Sequence, residues 1–81
     1  MKLYEIGNKI RELRKNKGVT QQELAQVANI SRVTLGKLER GHVGAVSIKS
    51  LDIILDFLGY EIEFKRKDEF GFGVPIFGEE T

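Results

Sequence analysis

The fold of this chain is decided by residues 20–41, which read TQQELAQVANISRVTLGKLERG. Thr20 and Ser31 are favourable N-caps, because a side-chain hydroxyl accepts a hydrogen bond from a free N–H of the first helical turn. Glu23 follows Thr20 at the spacing of a capping box, and Gly41 lies where a helix should end. The stretch therefore predicts two short helices joined by a tight turn.

The residues inside this unit support the same prediction. Ala25 is small where two helices would cross closely, and Asn29 tolerates the left-handed backbone of a turn. Ile30, Leu35 and Leu38 supply an apolar seam for packing. In this layout the first turns of the second helix present side chains to base edges in the major groove of DNA.

Two further helices follow from the spacing of apolar residues. The first is predicted to end at residues 16–18, and the last is predicted to begin after the cap Ser47 and to end at Gly59. Residues 41–46 are predicted to form a loop. The apolar positions are Leu3, Ile6, Ile10 and Leu13 in the first helix and Ile48, Leu51, Ile54, Leu55 and Leu58 in the last.

Taken together, these residues resemble the lambda-repressor-like helix-turn-helix family, also called the xenobiotic-response-element family, from about Ile6 to Tyr60. The resemblance implies an all-α bundle of four to five helices that binds double-stranded DNA. At 81 residues the chain has room for one domain, whose small core would gain from a partner subunit. We divide it into a DNA-binding domain at 1–59, a dimerisation strand at 60–67 and a tail at 68–81.

Charge is distributed unevenly along the chain. Residues 1–50 carry ten Lys/Arg and four Asp/Glu, whereas residues 51–81 carry three and eight. A basic half that also contains the helix pair suits attraction to phosphates, and an acidic half would be repelled from the duplex. The alternative is that the basic and acidic residues are simply exposed to solvent and have no role in binding.

Composition excludes several other classes of protein. The chain has no cysteine and one histidine, so it lacks a thiolate site and a ligand set for a metal. Its glycines do not follow a nucleotide-binding pattern, and we expect neither an enzyme nor a cofactor. We find no signal-peptide pattern and no apolar run that could span a membrane, so we expect a cytoplasmic protein.

After Gly59 the apolar period changes from that of a helix to that of a strand. Tyr60, Ile62 and Phe64 alternate with charged residues, and a lone strand leaves backbone groups unpaired. Pairing with the same strand of a second copy would satisfy them. The alternative is a hairpin with residues 74–77, although Pro75 cannot donate a hydrogen bond to a ladder.

A dimer of this kind would place two reading helices about 34–36 Å apart on one face of the duplex, which implies an inverted-repeat operator. We predict that Arg32 reads a guanine, because its guanidinium can donate two hydrogen bonds to O6 and N7. Lys37 would reach a guanine or a phosphate. Val33 would contact a thymine methyl or pack partly against the protein. Ser31 is a further base-reading candidate unless its hydroxyl is occupied as a cap.

Phosphate contacts are expected around the same helix pair. The resemblance implies that Gln21, at the start of the first helix of the pair, anchors a phosphate together with that helix's N-terminus. Thr34 can bind a phosphate through its hydroxyl. Arg40, His42 and Lys49 surround the loop that approaches the DNA backbone in this family.

Two positions carry a structural expectation. The resemblance implies that Arg14 and Glu39 form an ion pair that holds the reading helix in place without touching a base. Gly36 departs from the family pattern, in which a small polar residue is common. Either the backbone at Gly36 approaches the DNA or the neighbouring helix closely, or the position has drifted.

The tail combines aromatic and acidic residues, which is unusual for a disordered linker. Either its apolar side chains fold back over the domain or the dimer strand, or they dock on another protein. A repressor domain followed by a strand and an extension is similar to HipB-type antitoxins, which repress their own operon and hold a kinase-like HipA toxin. The alternative is a stand-alone repressor with a structural tail. The partner-binding candidates are Phe70, Phe72, Ile76 and Phe77.

Overall fold

A computed structural model describes residues 2–66 of the chain. It shows the predicted all-α helix-turn-helix bundle, built from four α-helices. The helices are α1 (Leu3–Lys17), α2 (Gln21–Ala28), α3 (Arg32–Glu39) and α4 (Ile48–Leu58), with a single 3-10 turn at Val43–Ala45 between α3 and α4. The four predicted helices are thus confirmed, and the predicted loop contains one short helical turn.

The predicted N-caps are present at the starts of α2, α3 and α4. The Thr20 hydroxyl accepts from the Glu23 N–H at 3.0 Å, and the Glu23 carboxylate accepts from the Thr20 N–H at 2.8 Å. Ser31 caps α3 through the Thr34 N–H at 3.0 Å. Ser47 caps α4 in the same way. Each hydroxyl satisfies a donor that would otherwise lack a partner at the helix start.

The turn between α2 and α3 depends on one residue with a left-handed backbone. Asn29 adopts φ 57° and ψ 44°, as the sequence predicted. Its N–H and that of Ile30 donate to carbonyls of α2, which ends the helix and redirects the chain. Only two residues, Ile30 and Ser31, then separate Asn29 from α3. The short connection restricts the position of α3 relative to α2.

The core lies where α1, α2, α3 and α4 meet, and α2 packs against both α3 and α4. Ile48, predicted to join the buried stripe of α4, is 78% exposed instead. It is the first residue of α4, whereas the buried residues of this helix, Ile54 and Leu58, lie in its later turns. The fully buried large side chains are Ile10, Leu24, Leu35, Leu38 and Ile54.

The crossing of α1 over the end of α3 depends on a glycine that the sequence analysis did not single out. A Cβ at Gly7 would overlap the carbonyl oxygen of Leu38 and approach the backbone nitrogen of Gly41 to 3.1 Å. The absence of a side chain therefore lets the two helix backbones come into direct contact.

Beyond Gly59 the chain leaves the helical bundle. Residues 60–66 form neither a helix nor a strand within the described part of the chain. A strand is defined by ladder hydrogen bonds, so a segment that pairs only with a second copy shows none in one chain. The strand at 60–67 and the dimer therefore stay predictions.

The tail residues Phe70, Phe72, Ile76 and Phe77, and the alternative hairpin with residues 74–77, lie outside the described residues. Within residues 2–66 no helix has the length and apolar character needed to cross a bilayer.

Candidate nucleic-acid interface

The candidate interface is built on α3, whose two faces differ sharply. Leu35 and Leu38 are fully buried and hold the helix against the bundle. Arg32 and Lys37 are exposed, and Val33 is 67% exposed. Because Val33 and Lys37 are one helical turn apart, they lie on the same outer face of α3. The helix thus offers a cationic and partly apolar surface to solvent.

A buried ion pair fixes the end of this helix. The Nε of Arg14 in α1 donates to Oε2 of Glu39 in α3 at 2.7 Å, and Nη2 donates to Oε1 at 3.1 Å. The remaining guanidinium nitrogen, Nη1, donates to the carbonyl of Val19 at 2.9 Å. Both residues are buried, at 7% and 5% exposure. Two parallel bonds between planar groups restrict the orientation of α3 as well as its position.

Gln21 joins the same network, which the sequence did not reveal. Its Nε2 donates to Oε1 of Glu39 at 3.0 Å, so the first residue of α2 is tied to the last residue of α3. A glutamine amide carries two N–H donors. One is used by Glu39, and the second has no hydrogen-bond partner within residues 2–66.

Two adjoining hollows open in front of this network. The first, of about 270 Å³, is lined by Gln21, Arg32, Val33, Gly36 and Arg40. The second, of about 390 Å³, is bounded by α1 on its other side. Gln21, Gly36 and Arg40 line both hollows. The further residues of the second hollow are Asn8, Arg11 and Glu39.

The structure therefore brings some of the predicted site residues together and leaves others apart. Arg32, Val33, Gln21 and Arg40 share one hollow. The exposed side chains of Lys37, His42 and Lys49 line neither hollow. His42 follows α3, where its N–H donates to the Lys37 carbonyl, and Lys49 lies in the first turn of α4.

The two hydroxyl residues of α3 are engaged within the helix. The Ser31 hydroxyl accepts from the Thr34 N–H and donates to Oγ1 of Thr34 at 2.9 Å. The Thr34 side chain is half-buried. Both hydroxyls would have to give up or share these bonds in order to contact a base or a phosphate.

Asn8 and Arg11 were not among the predicted site residues. Both are exposed on α1, and they lie beside Gln21 and Arg40 in the second hollow. The sequence contained a signal for them, because Asn8, Arg11 and Arg14 recur at a spacing of three residues along one helix. Since Arg14 was expected to face Glu39, its neighbours one turn earlier lie next to the same surface.

Gly36 is buried on α3, but no backbone atom of another element lies close to where its side chain would be. A Cβ there would meet only Nη1 of Arg40, at 3.3 Å, which is the end of a flexible side chain. Of the explanations considered for this glycine, a close approach to α2 is therefore excluded within the described residues. An approach to the DNA backbone, or drift at the position, accounts for it.

Within residues 2–66 no cluster of acidic and histidine side chains is suited to hold a metal ion. The groups exposed at this face include hydrogen-bond donors, positive charge and the apolar side chain of Val33. These groups are suited to bind a polyanion that exposes phosphates together with hydrogen-bonding and apolar groups, as the base edges of a nucleic acid do.

Comparison with known proteins agrees with this geometry. A helix-turn-helix family model matches residues 10–65, which include α2, α3 and α4. The crystal structure of the clp gene regulator ClgR from Corynebacterium glutamicum is similar, with a TM-score of 0.65 and 36% identity. The similarity covers 72% of this chain and 61% of that chain, so this chain spans less than two thirds of the regulator's length. No curated protein matches the chain significantly. Because the family model covers more than half of the chain and contains the two-helix unit, the chain belongs to the lambda-repressor-like helix-turn-helix family.

Proposed function

We propose that this chain is a sequence-specific DNA-binding transcription regulator that binds an inverted-repeat operator as a homodimer and represses its own operon. The observation that carries the proposal is the outer face of α3. It combines Arg32, Val33 and Lys37 on a helix whose opposite face is locked by the core and by Glu39. The similar structure belongs to a protein described as a gene regulator.

Base reading is assigned to the exposed side chains in the first half of α3. Arg32 donates two hydrogen bonds to a guanine, a contact worth about 1–3 kcal/mol of discrimination between bases. Val33 contacts a thymine methyl, since its side chain is apolar and 67% exposed. Lys37 reaches a guanine or a phosphate from the same face. Ser31 is a weaker candidate, because its hydroxyl already caps α3.

Phosphate binding is assigned to the rim of the two hollows. Gln21 uses its second amide N–H, together with the N-terminus of α2, to hold a phosphate while Glu39 fixes its orientation. Arg40 and Arg11 flank that position and supply positive charge. Thr34, His42 and Lys49 are further phosphate candidates outside the hollows.

The test separates base reading from phosphate binding. A preferred duplex is first selected from a random pool with the purified chain, and dissociation constants are then measured on it and on an unrelated duplex. We expect Arg32→Ala to lose most of the preference for the selected duplex while it keeps non-specific binding. We expect Gln21→Ala to weaken binding to both duplexes by similar factors.

Two control variants each remove an amide or a positive charge at a position outside the proposed interface. Gln22→Ala removes an exposed amide next to Gln21, and Lys17→Ala removes a charge from the α4 side, where Lys17 lies over the Phe57 ring. Both should bind like the wild type. Equal losses on the two duplexes for Arg32→Ala would show that another residue reads the operator.

A finer proposal is that the regulator is the antitoxin of a HipBA-like system. It is supported by the similarity of the domain and following segment to HipB-type antitoxins and by the aromatic, acidic composition of residues 68–81. The alternative is a stand-alone repressor whose tail completes the hydrophobic core. Pull-downs from the native host with the full chain and with a chain truncated after Lys67 distinguish them. A stoichiometric kinase-like protein lost only on truncation supports the antitoxin, whereas no partner and a less stable truncated dimer support the repressor.

A further inference from the structure

Within residues 2–66, the segment 60–66 makes a single backbone hydrogen bond. Its first N–H, that of Tyr60, donates to the Leu55 carbonyl at 2.8 Å at the end of α4. Within residues 2–66, no hydrogen bond involves the backbone of residues 61–66. Such groups are normally paired in a folded protein or left to water at the edge of a sheet.

The same segment carries an uncovered row of large apolar side chains. Tyr60, Ile62 and Phe64 are 52%, 42% and 95% exposed. Residues 60–63, both the apolar and the acidic ones, line a largely apolar groove of about 460 Å³ between α1 and α4. A partner that pairs with the backbone of this segment would at the same time cover this row.

The charges of the segment are arranged symmetrically about one residue. Glu61 and Glu63 precede Phe64, and Lys65 and Lys67 follow it, at equal distances and in opposite sign. A sequence of this kind is complementary to its own reverse. Run antiparallel against a second copy, it brings each acidic residue opposite a basic one.

We propose that residues 61–66 of two copies of this chain pair antiparallel, in the register that places Phe64 on the two-fold axis, opposite Phe64 of the second copy. The proposal rests on the dimer proposed above and specifies its geometry. Glu63 then lies opposite Lys65 of the second copy. By symmetry this pair occurs twice, and the two Phe64 rings meet at the centre.

The charges of the segment favour the register with Phe64 on the axis over the alternative registers. A two-fold axis at Glu63 would place the two copies of Glu63 opposite each other. An axis at Ile62 would place Glu61 opposite Glu63 twice. A parallel pair in register would align every charge with itself. Like charges directly opposite one another destabilise a strand pair, and opposite charges stabilise it. Of these arrangements, only the axis at Phe64 avoids every like-charge pair.

The absence of native cysteine allows a direct test of the register in the full chain. Only the residue on the axis faces its own copy, at a Cα separation of about 5 Å. One residue away from the axis, the two copies are separated by about 8 Å, from a rise of about 3.4 Å per residue. A disulfide does not form beyond about 7 Å without movement of the backbone.

We therefore expect Phe64→Cys to form a covalent dimer under mild oxidation, and Glu63→Cys and Ile62→Cys to stay largely uncrosslinked. Gel electrophoresis without reducing agent measures the yield. A covalent dimer formed preferentially by Glu63→Cys or Ile62→Cys would overturn the proposal in favour of the corresponding register.

Charge reversal provides a second test that leaves the Phe64 side chain intact. We expect Glu63→Lys alone, or Lys65→Glu alone, to raise the dimer dissociation constant about tenfold, from two repulsive pairs in place of two attractive ones. The double variant restores opposite charges and should dimerise like the wild type. If the axis lay at Glu63, the double variant would not regain wild-type dimerisation. If the axis lay at Ile62, Glu63→Lys alone would dimerise more tightly than the wild type, because position 63 would then face Glu61.

Sedimentation and operator binding by the wild-type chain separate the possible failures. A chain that stays monomeric at all concentrations and on DNA overturns both the dimer and this register. A chain that dimerises and binds its selected duplex, but shows the wrong crosslink or no restoration, overturns the register alone.

Discussion

Glu39 is the residue on which the position of the reading helix depends most. Its carboxylate accepts three hydrogen bonds, two from Arg14 and one from Gln21, at 5% exposure. Removal of one partner from a buried pair leaves the other charge without compensation, which costs about 3–5 kcal/mol. We expect Glu39→Ala to lower the free energy of unfolding by about this amount, as measured by urea denaturation.

The matched control is Glu12→Ala, because Glu12 forms an exposed ion pair with Lys9 at 3.6 Å. Pairs of this kind contribute about 0.2–1 kcal/mol. If the two variants unfolded at the same urea concentration, the network would not hold α3 in place.

At this scale the sequence could suggest only part of the network. Resemblance to the family paired Arg14 with Glu39, but no local pattern connected Gln21 to a carboxylate 18 residues away. Such a bond depends on how α2 and α3 cross, which is a property of the tertiary structure. Arg11 was missed although it precedes Arg14 by one turn of α1, and its place beside Arg40 depends on the packing of α1 against α3.

At the scale of elements, the contact between α1 and α3 leaves no room for a side chain at Gly7. A methyl group there would overlap the Leu38 carbonyl and force the two helices apart. Overpacking of this kind costs about 1–3 kcal/mol, more than the gain of up to about 1 kcal/mol from the higher helix propensity of alanine. We expect Gly7→Ala to lower the melting temperature clearly.

Gly44→Ala is the appropriate comparison, because a Cβ at Gly44 meets no atom within 4 Å in the described chain. Its melting temperature should match that of the wild type. A Gly7→Ala protein as stable as Gly44→Ala would mean that α1 and α3 can separate at little cost.

Four of the helix bounds were readable from the sequence because each depends on local chemistry. Thr20, Ser31 and Ser47 begin helices through their own hydroxyls, and Asn29 ends one through its own backbone. Gly7 and Gly36 look alike in the sequence, as isolated glycines within helices. A Cβ at Gly7 would overlap backbone atoms, whereas a Cβ at Gly36 would meet only the end of the Arg40 side chain, and only the packing distinguishes the two.

At the scale of the whole molecule, the basic face should make binding strongly dependent on salt. If each copy in a dimer places Arg11, Arg40 and Lys49 on phosphates, six charges are neutralised. The logarithm of the binding constant then falls with a slope of about −5 against the logarithm of salt concentration. We expect Arg11→Ala to make that slope shallower by about two, as measured by fluorescence anisotropy at several salt concentrations. A slope unchanged in Arg11→Ala would place this residue away from the duplex.

The charge asymmetry of the chain could be seen in the sequence, and the fold places much of the positive charge around α3. What the sequence left open is the assembly. Whether residues 60–66 form a strand depends on a second molecule, because a ladder exists only between two segments. The alternatives for residues 68–81 depend in the same way on contacts outside the described chain.

The bond between Gln21 and Glu39 also bears on the time course of binding. It joins the start of α2 to the end of α3 within the chain itself, so the relative position of these two helix ends does not depend on contact with DNA. Association is then limited by diffusion and by the attraction of opposite charges, which differ little between duplexes of the same length. Operators of different sequence would consequently be distinguished by how long each complex lasts, because the base contacts are lost only on dissociation.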